Sequence, residues 1–125
     1  MKVLKFAVIG VLGFVFDALF FYVFMATIQA PMIARLMAFW LAASVTWWGN
    51  RQLTFAELKR ASNGIGLVKQ WWAYMCTAHL AGAANLASFY WLSQHYPIAL
   101  AFCVGIILGA TFNYLLSSRF VFRIN

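Results

Sequence analysis

Asp17 is the one charge in the stretch GVLGFVFDALFF, Gly10–Phe21, and the chain is apolar for many residues on either side. An ionised group in apolar surroundings is costly unless it is paired, hydrogen-bonded or neutralised. Such a carboxylate can accept hydrogen bonds from hydroxyl groups, pair with a cation or carry a proton across a membrane. The plainer reading is a structural hydrogen bond, with Asp17 protonated or bound to a neighbour's hydroxyl. Desolvation raises a carboxyl pKa and a nearby cation lowers it, and the sequence leaves that balance open. Arg35 has two readings as well. It snorkels with its head at an interface, or it meets a phosphate or Asp17. Asp17 lies about eleven residues, ~16 Å, below the far end of its helix. Arg35 starts near that end, so a direct pair needs the arginine to point down, and otherwise a water or a substrate group bridges the two.

Asn85 is another polar residue deep in an apolar stretch, with His79 nearby, read as a hydrogen-bonded core histidine. Asn50 with Arg51, and Asn113 with Arg119, recur near the ends of two apolar stretches. They anchor an interface, or they recognise a phosphate, which arginine binds through two parallel hydrogen bonds. Thr46 lies one turn before Asn50 on the same face. Cys76 and Cys103 have no CxxC spacing or metal-ligand companions and read as small packed hydrophobes. Acidic residues number 2, one of them Glu57 in a loop, so paired-carboxylate catalysis is excluded. There is no glycine-rich phosphate loop, and no cofactor is expected.

The elements that hold these residues follow from composition. Of 125 residues 66% are hydrophobic and 9% charged, too few charges to cover a water-facing surface. The apolar mass falls into four stretches, Lys5–Ile28, Met32–Trp48, Trp71–Gln94 and Ile98–Ser118. Each has about the length of a helix crossing ~30 Å of hydrocarbon. They lack the alternation of barrel strands, so the reading is an all-α integral membrane protein with four transmembrane helices. The first stretch is too long for a signal peptide core and is expected to stay in the mature protein. Lys2, Lys5, Arg51, Lys59, Arg60, Lys69, Arg119 and Arg123 then fall on one side of the membrane, and only Arg35 lies toward the other. That asymmetry places both termini and the central loop in the cytoplasm. It also accounts for the net charge of +7 without nucleic acid. Trp71, Trp72 and Tyr96 fit an interfacial aromatic belt.

The two halves align with each other. LKFAVIGVLGFVFDALFFY lies over WAYMCTAHLAGAANLASFY, with Asp17 on Asn85 and Gly13 on Ala81. Ala34, Ala38 and Ala42 stand opposite Ala101, Gly105 and Gly109, followed by Thr46 and Asn50 opposite Asn113 and Ser117. RQLTF over SRFVF brings Phe55 onto Phe122. The expected organisation is one membrane domain of two parallel two-helix repeats, 4–55 and 69–122, joined by a cytoplasmic linker, 56–68. The small-residue ridges let helices approach closely.

VIGVLGFVFD in the first helix, GNRQLTF after the second and FNYLLSSRFVF at the end, in two copies, resemble the GtrA-like family of small membrane proteins. The resemblance covers Lys5–Phe122. It implies a four-helix membrane fold. It also implies movement of a polyprenyl-phosphate-linked sugar, such as undecaprenyl-phosphate glucose, across the bacterial inner membrane for cell-surface polysaccharide glycosylation. The family's asparagine–arginine–arginine–aromatic pattern stands here as Asn50-Arg51-Gln52-Leu53 and Ser117-Ser118-Arg119-Phe120, each copy keeping part of it. On this reading Asp17, Thr46, Asn85 and Asn113 bond sugar hydroxyls. Arg51, Arg119 or Arg35 meets the phosphate, with Asn50 beside Arg51. Implied partners are the lipid-linked sugar, membrane lipids, a membrane glycosyltransferase and further copies of the chain. Two other readings stand: a small proton-coupled exporter of cations or drugs, and a non-transporting partner of a membrane glycosyltransferase.

Overall fold

The computed structural model describes residues 1–57 and 65–122. Its main elements are four helices: α1 (Lys2–Ile28), α2 (Pro31–Gly49), α3 (Ile65–Ser93) and α4 (Ile98–Leu116). α1 starts at Lys2 rather than at Lys5, and α3 at Ile65 rather than at Trp71. Lysine and glutamine are good helix formers, so these helices run on past their apolar stretches. Most of the expected linker, with Lys59 and Arg60, lies outside the described residues, as does Arg123.

The chain divides into two compact units, Met1–Leu67 and Val68–Asn125. In the first, α1 ends on Gln29 in the left-handed conformation, φ 58°. That residue turns the chain back within a short connection, and Pro31 opens α2 at a position where its missing N–H costs nothing. α1 and α2 thus form an antiparallel hairpin. α1 contributes Phe6, Ile9 and Gly13 to its buried seam, and α2 contributes Ala34, Ala38, Ala42 and Ala43. α2 then loosens into a π turn, Asn50–Thr54, closed by the Phe55 N–H bonding the Asn50 carbonyl at 2.8 Å. Phe55 is buried and meets Phe6 edge to face, ring centroids 6.5 Å apart.

The second unit has the same parts. α4 has the same length as α2, 19 residues. It buries Ala101, Gly105 and Gly109 and also ends in a π turn, Ser117–Val121. There the Phe122 N–H bonds the Ser117 carbonyl at 2.9 Å. Phe122 meets Tyr74 of α3 at 6.2 Å, as Phe55 meets Phe6. Tyr74, Thr77 and Ala81 are the buried positions of α3 that correspond to Phe6, Ile9 and Gly13.

Both seams are narrow, and most large apolar side chains face outward. Val11, Phe14 and Leu19 of α1 and Ile98, Ile107 and Leu115 of α4 are all more than half exposed. Apolar surface on this scale is unsustainable in water and natural against lipid. α1 and the segment Ile98–Val121 are long and apolar enough to cross a membrane. α2 and α3 carry more polar side chains, among them Arg35, Ser44 and Thr46, and Gln70, Thr77 and Asn85.

At the foot of the first unit Lys2 Nζ pairs with Glu57 Oε1 and lies 5.6 Å from the Phe55 ring centroid. The Lys2 hydrogen bond, helped by Glu57's own backbone N–H and by Lys5, holds the Glu57 carboxyl below its ordinary value. A carboxyl lowered in the folded state stabilises above the unfolded pKa, and that gain is lost as pH falls through the folded value. Both side chains are about half exposed, so the effect is small and screened by salt. Glu57→Gln is therefore expected to leave melting in detergent almost unchanged at pH 7. It should remove a slight loss of stability that the unaltered chain shows below about pH 4.5, the ordinary glutamate value.

Candidate functional site

The hairpin sets the site's register. A Cβ on Gly13 would lie 2.1 Å from Thr46 Cγ2, so Gly13 and Thr46 are level across the two helices. One turn further along α1, Asp17 is then level with Ala42. Arg35 enters about two turns beyond, ~10 Å away along the axis. Its side chain points back down the hairpin. Nη1 donates to Asp17 Oδ2 at 2.8 Å. The arginine points down and the pair is direct, one of the two arrangements that the spacing leaves open. On the way the guanidinium passes Phe21, its Cζ 5.8 Å from the ring centroid. Phe21 is one turn from Asp17 on the same face of α1, and an aromatic face attracts a cation. This explains how the carboxylate is tolerated in an apolar helix.

The pair is lopsided. The Asp17 side chain is 14% exposed and that of Arg35 54%. Asp17 Oδ1 is buried with no hydrogen-bond partner. A carboxylate has room for about four hydrogen bonds, so Asp17 is under-used as an acceptor. Arg35 has five donors, and around it Met32, Ile33 and Leu36 are exposed and apolar.

The second unit holds the neutral counterpart. Asn85 lies against α4 where only glycine leaves room: a Cβ on Gly105 would come 2.7 Å from Asn85 Oδ1, and one on Gly109 2.8 Å from Asn85 Cβ. The place in α4 that Arg35 takes in α2 is taken by Phe102, an exposed apolar residue. Acid with base in one unit, amide with phenylalanine in the other: the charge goes in both members or in neither.

The π turns carry a second polar group in each unit. In the first, Asn50, Arg51 and Thr54 are buried, and Thr54 Oγ1 donates to Asn50 Oδ1 at 2.7 Å. In the second, Ser117 Oγ donates to Asn113 Oδ1 at 3.3 Å and lies 3.3 Å from Thr77 Oγ1. Thr77 Oγ1 also donates to the Tyr74 carbonyl at 2.9 Å. π turns inside helices are frequent at functional sites. Arg51 and Arg119 are not equivalent. Arg51 is 5% exposed, whereas Arg119 sits one position further along its turn and is exposed beside a surface hollow with Leu115, Ser118 and Phe120. One residue in a helical turn is a rotation of about 100°, enough to send one arginine inward and the other out. Thr46 Oγ1 bonds the Ala43 carbonyl at 2.8 Å, and its methyl fills the space opposite Gly13.

Of the sequence-derived residues, the first unit therefore brings Asp17 and Arg35 into contact. Asn50 and Arg51 sit at the other end of α2, several turns away. Asn85 and the Asn113–Ser117 group are likewise at different levels of the second unit. His79 is exposed rather than in a core, its Nδ1 2.6 Å from the Met75 carbonyl. Cys76 and Cys103 are exposed thiols on helix surfaces, not packed between helices. Sequence reasoning does not single out Thr54, Thr77 or Phe21. The RQLTF and SRFVF correspondence marks the π turns, and Phe21 stands one turn from the acid, where an aromatic can meet its cation.

Helical hairpins with alanine and glycine seams and apolar outer faces define a helical membrane domain. The chain belongs to the GtrA/DPMS transmembrane-domain family, whose model matches residues 5–122. That family is transporter-like and is associated with polyprenyl-phosphate sugar lipids and membrane glycosyltransferases. No curated protein matches the chain.

Proposed function

We propose that this protein moves the headgroup of a polyprenyl-phosphate-linked sugar, such as undecaprenyl-phosphate glucose, across the bacterial inner membrane. All four helices span the bilayer as two parallel two-helix repeats, 4–55 and 69–122, with both termini and the linker cytoplasmic. One observation carries this reading above the others: the Asp17–Arg35 pair, a charged polar centre inside an apolar hairpin, in a chain of a family associated with such lipids. A sugar phosphate crossing the membrane loses its water contacts, and polar groups inside the protein replace them. Asp17, Asn85, Thr46 and Asn113 receive sugar hydroxyls. Arg35 meets the phosphate in mid-passage, and Arg51 with Asn50 and the exposed Arg119 meet it at the cytoplasmic end. The polyprenyl tail stays in lipid along the apolar outer faces. Further copies of the chain complete the path.

The test uses purified protein in liposomes with a polyprenyl-phosphate sugar labelled in one leaflet. Protein-dependent exchange of the headgroup between leaflets is the expected result. Absence of exchange by folded protein would overturn the transport reading and leave a glycosyltransferase partner. Protection of cells against cationic dyes, with no exchange, would instead make it a small exporter.

A further inference from the structure

The Asp17–Arg35 contact has a consequence beyond positioning. Arg35 Nη1 is held by Asp17 Oδ2 at 2.8 Å, while more than half of the arginine side chain is exposed. Oδ1 of the same carboxylate is buried and has no hydrogen-bond partner. One guanidinium is therefore the shared partner of an under-satisfied internal anion and of whatever anion reaches the exposed side. We infer that Asp17 and an incoming phosphodiester compete for Arg35, and that Asp17 takes up a proton from water when it loses.

The chemistry follows from the surroundings. A planar guanidinium bonds a phosphodiester through two parallel hydrogen bonds, the stronger form of the contact. Turning both terminal nitrogens outward breaks the single bond to Oδ2. The carboxylate is then left in an apolar hairpin without its counter-charge, a state avoided by protonation. The pair lies between α1 and α2, and the Asn50–Thr54 turn closes the far end of the same unit. Their other charged groups, Lys2, Lys5, Arg51 and Glu57, lie at the opposite end of the hairpin, and Tyr22 beside Phe21 is exposed. Among the described residues of this unit, Arg35 is the one cation paired with Asp17. The second unit supports the same logic: where the acid is an amide, Asn85, the base is absent and Phe102 stands in its place. The exposed Met32, Ile33 and Leu36 around Arg35 favour an anion carried on an apolar chain over free phosphate. This inference rests on the lipid-phosphate reading for its choice of anion, and it makes proton uptake part of headgroup binding.

The experiment is calorimetric titration of the full chain, in a neutral detergent, with dibutyl phosphate, which keeps one negative charge across the pH range used. Titration in two buffers of different ionisation enthalpy counts the protons taken up. About one proton per anion is expected, with affinity falling about tenfold per pH unit. Asp17→Asn should bind without proton uptake and without pH dependence. Arg35→Gln should bind at least tenfold more weakly, and Arg35→Lys should bind weakly with uptake preserved. Neutral tributyl phosphate should not bind, and inorganic phosphate should bind more weakly than the diester; equal binding would make free phosphate the ligand. Binding by the unaltered chain without proton uptake overturns the inference even if Asp17→Asn fails to fold. So does uptake that survives Asp17→Asn or Arg35→Gln. Proton-linked binding without leaflet exchange would sink the transport reading alone, and exchange with proton-independent binding would sink this inference alone.

Discussion

Arg35→Phe is expected to lower stability in detergent by about 1–3 kcal/mol, the range for stranding a buried polar group, and a second change, Asp17→Asn, is expected to recover most of it. The single change leaves the Asp17 carboxylate, 14% exposed, with neither of its oxygens paired. Full burial would make the loss larger. It is moderated here because the arginine itself is half exposed and the stranded acid can take a proton. The double variant reproduces what the second unit already contains, Asn85 with Phe102. Thermal unfolding followed by tryptophan fluorescence at pH 7 reads both outcomes. An Arg35→Phe chain as stable as the unaltered one would mean the pair contributes nothing to the fold. The double variant should be well folded and yet fail to bind dibutyl phosphate, which separates the pair's structural part from its part in recognition.

The second large effect is steric. Gly13→Ala places a methyl 2.1 Å from Thr46 Cγ2, a distance at which α1 and α2 must move apart. Overpacking of a close seam typically costs about 1–3 kcal/mol. Thr46→Ser removes the Cγ2 methyl that the new Cβ strikes, while keeping the hydroxyl that bonds the Ala43 carbonyl. The combination Gly13→Ala with Thr46→Ser is expected to melt close to the unaltered chain, and Gly13→Ala alone well below it. The non-additivity of the two changes, measured as a double-mutant cycle, is the diagnostic quantity. Additive effects would show that the two helices do not meet at this level. Spreading the seam also loosens Arg35 from Asp17, its competitor for the anion, so Gly13→Ala should strengthen anion binding although it touches neither charged group.

Helix content and the buried seams are legible in the sequence because they depend on local periodicity. Alanines at every fourth position from Ala34 to Ala42, matched by Ala101, Gly105 and Gly109, are the positions the two units bury. Helix starts are less legible, since Lys2 and Ile65 extend helices through residues that hydropathy does not mark. The Asp17–Arg35 pair lies at the edge of what sequence can give. Residue spacing places the two charges turns apart, and only the inward rotamer of Arg35, guided by Phe21, closes the gap. The π turns are invisible to hydropathy, because one added residue in a helical turn leaves it unchanged, although the matching RQLTF and SRFVF mark where they fall. The added residue does rotate everything after it, which is why two similar-looking arginines, Arg51 and Arg119, end in different surroundings. The two-copy arrangement compensates in part. Matching the halves pairs Phe55 with Phe122, and each packs edge to face on the equivalent partner, Phe6 or Tyr74.

The measurement that bears most directly on the account is leaflet exchange of a polyprenyl-phosphate sugar in liposomes, made side by side for the unaltered chain and for Asp17→Asn with Arg35→Phe. The double variant keeps the fold and removes the charged centre, so the account predicts rapid exchange with the first and a fall to the protein-free rate with the second. Equal exchange by both would place the path away from Asp17 and Arg35 and contradict the central claim.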